Sequence, residues 1–179
     1  NMKYYAIEQR SRDFTKDYWK KNCPGADVLD YACGNGEDSL DMAKLGAKKV
    51  TGIDISDISI KNSQDLADKE NLSHVTNFLV ADCEKTGFED NSFDLMNEYG
   101  CFHHLDLEIA LPELARIMRP NGSMITAETL GHNPIISWYR KSTPELRTPW
   151  EAEHILKKEH YKLMKQYFNM NDCLFCKIV

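Results

Sequence analysis

No run in these 179 residues is long and apolar enough to span a bilayer, and no charged-then-apolar stretch near the start reads as a secretory leader. A basic surplus is missing too. The net charge is −6 and the pI about 5.5, which argues against a general nucleic-acid binder. Six cysteines in a chain of this size do not make a disulfide scaffold. Cys33 lies in a glycine-bearing loop and Cys83 follows an expected strand, where thiols serve as small packing residues. The expectation is a reduced, cytoplasmic protein. No internal repeat or low-complexity segment divides the chain. A single domain over 1–179 is expected, long enough to bury a real core.

What the sequence does have is alternation. Tyr4 to Lys21 reads as an amphipathic helix with Tyr5, Phe14, Tyr18 and Trp19 as its apolar members, broken by Pro24-Gly25. Strands are expected at Ala26–Ala32, Lys49–Asp54, Val75–Ala81, Phe93–Glu98 and Ser123–Leu130. Helices are expected at Glu37–Leu45, from a Ser56 or Asp57 cap to about Lys69, and from an Asp106 cap to near Met118, where Pro112 is awkward. Arg119-Pro120-Asn121-Gly122 reads as a turn. Later, Glu151–Phe168 reads as a helix and Asp172–Val179 as a sixth strand. Short connections between alternating strands and helices predict an α/β fold: a doubly wound, mostly parallel sheet with helices on both faces. Ligands bind such folds at the carboxyl ends of the strands.

The first of those ends carries "VLDYACGNGEDSL", Val28 to Leu40. A dinucleotide loop would have a third glycine where Ser39 stands. Glu37 and Asp38 follow Gly36 directly, and they suit the helix dipole but repel a pyrophosphate in the same place. A cationic ligand without phosphates fits better, and S-adenosylmethionine is one. The other strand ends agree. Asp54 comes about twenty residues beyond the glycines, where an acid bonds ribose hydroxyls. Asp82 is placed to accept from an adenine amine, and Glu98 ends strand four. With Asp30, each of the first four strands delivers an acid at or near its carboxyl end.

On these residues the chain resembles the class I S-adenosylmethionine-dependent methyltransferases, especially the type 11 group. "LDYACGNG" is similar to that family's first motif and "VTGIDIS" to its second. "VADCEKTGFEDNSFDLM" resembles the third and fourth, and "ELARIMRPNGSMITAE" its helix-turn-strand, with Pro-Asn-Gly for Pro-Gly-Gly. The resemblance implies that Ala32, Gly34 and Gly36 approach the methionine part of the cofactor, with Asp30 nearby. It implies that Asp54 holds the ribose, that Ile55 packs on adenine, and that Asp82 with Cys83 meets the adenine edge. Glu98 and Tyr99 would line the cofactor near the transferred methyl. The core is expected over 26–130, preceded by an N-terminal helix in 1–25 and followed by an acceptor-side segment, helix and last strand in 131–179. The family usually adds a seventh, antiparallel strand, which this sequence lacks. A truncated chain or completion of the sheet by a partner, as in a homodimer, would account for that.

Methyl transfer is a displacement on an activated sulfonium, so alignment is the main task. A base is needed only where the acceptor loses a proton. His103 and His104, just past strand four, are both candidates. Adjacent histidines rarely point at one ion, and no metal site is expected. Cys173 and Cys176 have zinc-like spacing but no second pair, and are read as buried strand thiols. Gly131 to His154 is locally basic and aromatic, and Tyr139, Arg140 and Arg147 are expected to bind the acceptor, as arginine forks suit anions. The expected function is methyl transfer to a small-molecule or lipid- or sugar-linked acceptor. The alternatives are a cofactor-binding module without efficient catalysis, or a protein or RNA methyltransferase. Asn97-Glu98-Tyr99-Gly100 stands where an amino methyltransferase of nucleic-acid bases has Asn-Pro-Pro-Tyr, which argues against sequence-specific nucleic acid as partner.

Overall fold

The computed structural model describes residues 2–128, 138, 142–143 and 155–170. Helix α1 (Met2–Asn22) leads into strand β1 (Asp27–Tyr31), helix α2 (Glu37–Lys44), strand β2 (Lys49–Asp54), helix α3 (Asp57–Lys69) and strand β3 (Thr76–Val80). A long connection then reaches strand β4 (Phe93–Tyr99), a 3-10 turn at Phe102–His104, helix α4 (Leu107–Ile117) and strand β5 (Met118–Ala127). The last described helix is α5 (Lys158–Tyr167). The strands form one parallel sheet in the order β3-β2-β1-β4-β5.

Strand β1 sits at the centre and is closed in on both sides. Val28, Leu29, Asp30 and Tyr31 are all buried. The two-residue period of a strand sends them to opposite faces. Leu29 and Tyr31 join Met96, Phe102, Leu111, Leu114, Ile117 and Met164 in a core formed with α4 and α5. Val28 joins Trp19, Met42, Ala43, Val50 and Leu95 in a second core beneath α1 and α2. A smaller cluster of Leu40, Ile60, Ala67 and Phe78 seats α3. Helices therefore cover both faces, as expected of a doubly wound sheet.

Side-chain caps set two helix starts. Ser56 accepts from the Ser59 amide at 3.2 Å, and Asp106 accepts from the Glu108 amide at 2.9 Å. Helix α4 runs straight through Pro112. The proline removes only the backbone bond that Glu108 would have received. The buried stripe Leu107, Ala110, Leu111, Leu114, Ile117 holds the helix against the sheet regardless.

The structure corrects four local expectations. Phe14 is 39% exposed, whereas Trp19 is 1% exposed. The buried face of α1 runs Thr15, Trp19 and on to Cys23 at four-residue steps, and Phe14 is turned about 100° away from it. The expected turn at Arg119–Gly122 lies inside β5 as a bulge. Met118 pairs with Phe93 and Ser123 with Leu95, and Asn121 takes the left-handed φ of 67° that the excursion needs. Helix α5 begins only at Lys158, because Ile155–Lys157 are not helical. Strand β4 runs one residue further than expected, to Tyr99. The expected sixth strand at Asp172–Val179 lies outside the described residues.

Candidate active site

The strand order reverses at β1, whose neighbours are β2 and β4. The crevice outside the carboxyl ends of these strands is where an open α/β sheet binds ligands. From Tyr31 the chain enters a loop that only small residues can follow. Ala32, Gly34 and Gly36 have φ of 58°, 52° and 82°. The loop is pinned from three sides. The Cys33 amide donates to the Ile53 carbonyl at 2.8 Å, the Gly34 amide to Asp54 Oδ2 at 3.0 Å, and Ser63 Oγ to the Gly34 carbonyl at 2.9 Å.

The two glycines play different parts. A Cβ at Gly34 would meet nothing within 4 Å, so this backbone faces open space. A Cβ at Gly36 would strike Ser63 Cβ at 2.8 Å and approach Phe78 at 3.2 Å. Gly36 therefore lets the loop pack on α3, and a side chain there would collide with protein before reaching a ligand.

At the next strand end, Asp54 is half-buried and already useful to the fold. Its Oδ1 accepts from the Ser56 amide at 2.9 Å while Oδ2 holds the loop. Beside it Ile55 is 77% exposed, a large apolar surface with nothing over it among the described residues. Asp82, beyond β3, is exposed, and its Oδ1 accepts from the Glu84 amide at 2.8 Å. An open glycine backbone, an uncovered isoleucine and two accessible carboxylates at adjacent strand ends suit a ribose, a flat base and a cationic tail.

Asp30, Cys83 and Glu98 sit in the interior. Asp30 Oδ2 accepts from Ser39 Oγ at 2.5 Å and Oδ1 from Asn97 Nδ2 at 2.8 Å, and Asn97 in turn accepts from the Trp19 indole at 3.2 Å. Burial pushes the Asp30 carboxyl up to about 6, against these stabilising bonds. The Cys83 thiol is pushed up to about 12, first of all by burial, and its carbonyl receives the Tyr31 hydroxyl at 2.5 Å. Cys33 and Cys101 are pushed up by burial as well, so these three thiols are packing groups.

The ends of β4 and β5 make a second cluster. Glu98 is 1% exposed, and its Oε1 accepts from the Cys101 amide at 2.6 Å. Glu128, directly after β5, has a side chain only 4% exposed. Its Oε1 accepts from the Phe102 amide at 2.6 Å, and its Oε2 lies 3.1 Å from His103 Nδ1. The two carboxyls thus anchor successive amides at the start of the turn that carries His103. They lie within hydrogen-bonding reach of each other, and Glu98 Oε2 is buried with no hydrogen-bond partner among the described residues. Burial first, and then the Glu128 charge, hold the Glu98 carboxyl well above the ordinary carboxylate range. The His104 ring lies 4.1 Å from that of His103.

Sequence reasoning missed two members of this region. Glu128 follows the rule that had already found four acids at four strand ends, one strand later. Arg12 of α1 has its guanidinium 4.1 Å from the centre of the Tyr99 ring and bonds Asp38 at 3.1 Å. No local pattern signals a contact spanning that much chain. Of the expected acceptor residues, Tyr139, Arg140 and Arg147 lie outside the described residues.

Comparison with known proteins agrees with this geometry. The methyltransferase domain family matches residues 29–126, from β1 to the end of β5. Tocopherol O-methyltransferase of Arabidopsis thaliana is 32% identical over 135 residues, covering 73% of this chain and 36% of that protein. The 27-O-demethylrifamycin SV methyltransferase of Amycolatopsis mediterranei is 33% identical over 107 residues, covering 59% of this chain and 39% of that one. The chain thus spans less than half the length of these two relatives. The YcgJ protein of Bacillus subtilis shares the fold, with a TM-score of 0.73 at 19% identity over 88% of this chain and 67% of that one.

Proposed function

From its membership of the class I S-adenosylmethionine-dependent methyltransferases, we propose that this chain methylates a hydroxyl group of a small-molecule acceptor, with His103 as the general base. The observation that carries the reading is the His103–Glu128 pair. An ionised Glu128 fixes the imidazole proton on Nδ1 and leaves the Nε2 lone pair to receive a proton. A base of this kind is useful where an O–H must be lost and is not needed for an already nucleophilic amine.

Bound S-adenosylmethionine supplies a methyl group already activated on sulfur. The protein's own residues hold and orient. Asp54 takes the ribose hydroxyls on lone pairs not used by the Gly34 and Ser56 amides. Asp82 would accept from the adenine amine, and the exposed Ile55 side chain would give the base an apolar surface. The backbone of Ala32, Gly34 and Gly36 runs beside the amino-acid tail. Tyr99, backed by Arg12, closes the inner edge. His103 Nε2 takes the hydroxyl proton as the oxygen becomes methylated, and Glu128 stabilises the imidazolium that forms. Asp30 acts from the interior by holding Ser39 and Asn97 in place.

The acceptor is a small molecule or a lipid- or sugar-linked intermediate, and an anionic group on it is the proposed ligand of Tyr139, Arg140 and Arg147. Hydroxyl methylation is supported by the name of the tocopherol O-methyltransferase relative, while sterol 24-C-methyltransferases among the relatives make carbon the outcome to be tested against it. The test is methyl transfer from tritiated S-adenosylmethionine to a panel of tocopherols, alkylated hydroquinones and their sulfated or carboxylated analogues. Label should enter a hydroxyl oxygen and be lost in His103→Asn. Arg147→Ala should lower turnover while sparing cofactor affinity. Label on carbon, or His103→Asn as active as the parent, would sink the base assignment.

A further inference from the structure

We propose that Glu98 and Glu128 hold one proton between them, carried by Glu98, and that this acid–carboxylate pair positions the turn presenting His103. The inference deepens the base reading above and rests on it for its purpose, though not for its test.

The geometry leaves few places for that proton. Both side chains are buried, and each spends one oxygen on a backbone amide, at Cys101 and Phe102. Glu128 spends its second oxygen on His103. Among the described residues Glu98 Oε2 has no donor to receive from, and the facing carboxyl is another acceptor. Two adjacent buried carboxylates repel, and one proton converts that repulsion into a hydrogen bond. Placed on Glu128, the proton would remove the charge that faces the imidazole. Placed on Glu98, it fills the buried atom left unmatched among the described residues and leaves Glu128 ionised toward His103. The other titratable groups around the pair do not supply a competing charge. Cys101 on the turn and Cys83 from beyond β3 are thiols that burial keeps protonated, and Tyr31 of β1 is held neutral in the same way. His103 Nδ1 faces Glu128 Oε2 at 3.1 Å, with the His104 ring stacked beside it.

Glu98 is therefore a positioning residue. Its neutral carboxyl ties the Cys101 amide to Glu128, and Glu128 ties the Phe102 amide to the His103 ring, so the turn has two adjacent anchors on a single shared proton. The sign of the pH dependence follows. A carboxyl whose pKa is higher in the folded chain than its ordinary 4.5 takes up a proton on folding. Its contribution to stability is complete below that ordinary value and is lost as pH rises toward the folded one.

Two measurements on the full chain test this. The first is the infrared carbonyl stretch of a protonated carboxylic acid, recorded at a pH well above 6 so that Asp30 is ionised. The wild type should show the band, Glu98→Gln should lack it, and Glu128→Gln should keep it. The second is the melting temperature against pH. Glu98→Gln, which mimics the neutral acid, should gain on the wild type progressively above about pH 4.5, and Glu98→Ala should lose at every pH. A band absent from the wild type, or one that disappears in Glu128→Gln and survives in Glu98→Gln, overturns the assignment. So does a large loss of S-adenosylhomocysteine affinity in Glu98→Gln when the wild type itself shows no band, which would mark Glu98 as an ionised cofactor acceptor. Failure of every hydroxyl in the acceptor panel would instead remove the base role of His103 and leave the band to decide the proton's position.

Discussion

The strand ends on the two sides of β1 use the same residue type for opposite purposes. On the β2–β3 side, Asp54 and Asp82 are partly or fully open, and each keeps acceptor capacity beyond the backbone amides it binds. On the β4–β5 side, the Glu98 and Glu128 side chains are buried, and each anchors a backbone amide of the turn that follows β4. Exposure decides the difference. An open carboxylate stays ionised at little cost and can wait for a ligand. A buried one must be paired or protonated, so it serves to hold other groups and to steer protons. One architectural rule, acids at the carboxyl ends of parallel strands, thus yields an open half and a buried half, which the proposed function assigns to binding and to chemistry.

The sharpest way to break this division is Glu128→Gln. Loss of the charge behind His103 should lower turnover about a hundredfold or more, the usual worth of a general base. Affinity for S-adenosylhomocysteine, measured by calorimetry, should hardly move. Comparable losses in both would mean the two halves are one site.

Asp30 lies between the halves and tests the role of burial directly. Its carboxyl is raised from 3.8 to about 6, so folding takes up a proton in that window. Stability from this group is complete below about pH 4 and falls as pH rises through about 6, by up to about 3 kcal/mol. Urea unfolding of Asp30→Asn should show a flatter pH dependence over that range, and a profile parallel to the wild type would contradict the shift. Next in size, Asp54→Ala should weaken cofactor binding by about 1–3 kcal/mol through the lost ribose acceptors and the released Gly34 amide. Unchanged affinity would remove Asp54 from the binding half. The smallest effect expected is Arg12→Ala. Its bond to Asp38 is part-exposed and its ring contact is of modest strength, so a loss of at most about 1 kcal/mol in thermal stability should result.

The binding half was largely legible in the sequence. The bounds of β1 to β4 were legible to within one residue, whereas β5 starts five residues before the expected Ser123; Ser56 and Asp106 announced their helices. The glycine loop and the acids at Asp54 and Asp82 are local signals. The chemical half was less legible because it is made by long-range contacts. His103 was visible as a residue type, but its selection over His104 rests on Glu128, 25 positions away. Gly36 carried a second ambiguity. Its sequence context suggested ligand contact, while its packing on Ser63 and Phe78 depends on how α3 returns to the loop. Pro112 and Arg119–Gly122 show tertiary packing and strand pairing overriding a local break.

The buried polar chain of Trp19, Asn97, Asp30 and Ser39 has a consequence for how the sheet assembles. Its members come from α1, β4, β1 and α2, and Asp30 is 67 positions from its amide partner. The apolar runs of the central strands are alike enough to pair in a wrong order during collapse. A sheet in which β4 is not paired with β1 would enclose Asp30 without the Asn97 amide, and a buried charge stripped of its partner costs several kcal/mol. Strand order is expected to depend on this one acid and one amide: Asn97→Leu should refold with a larger trapped fraction, read as lost refolding yield after rapid dilution from urea.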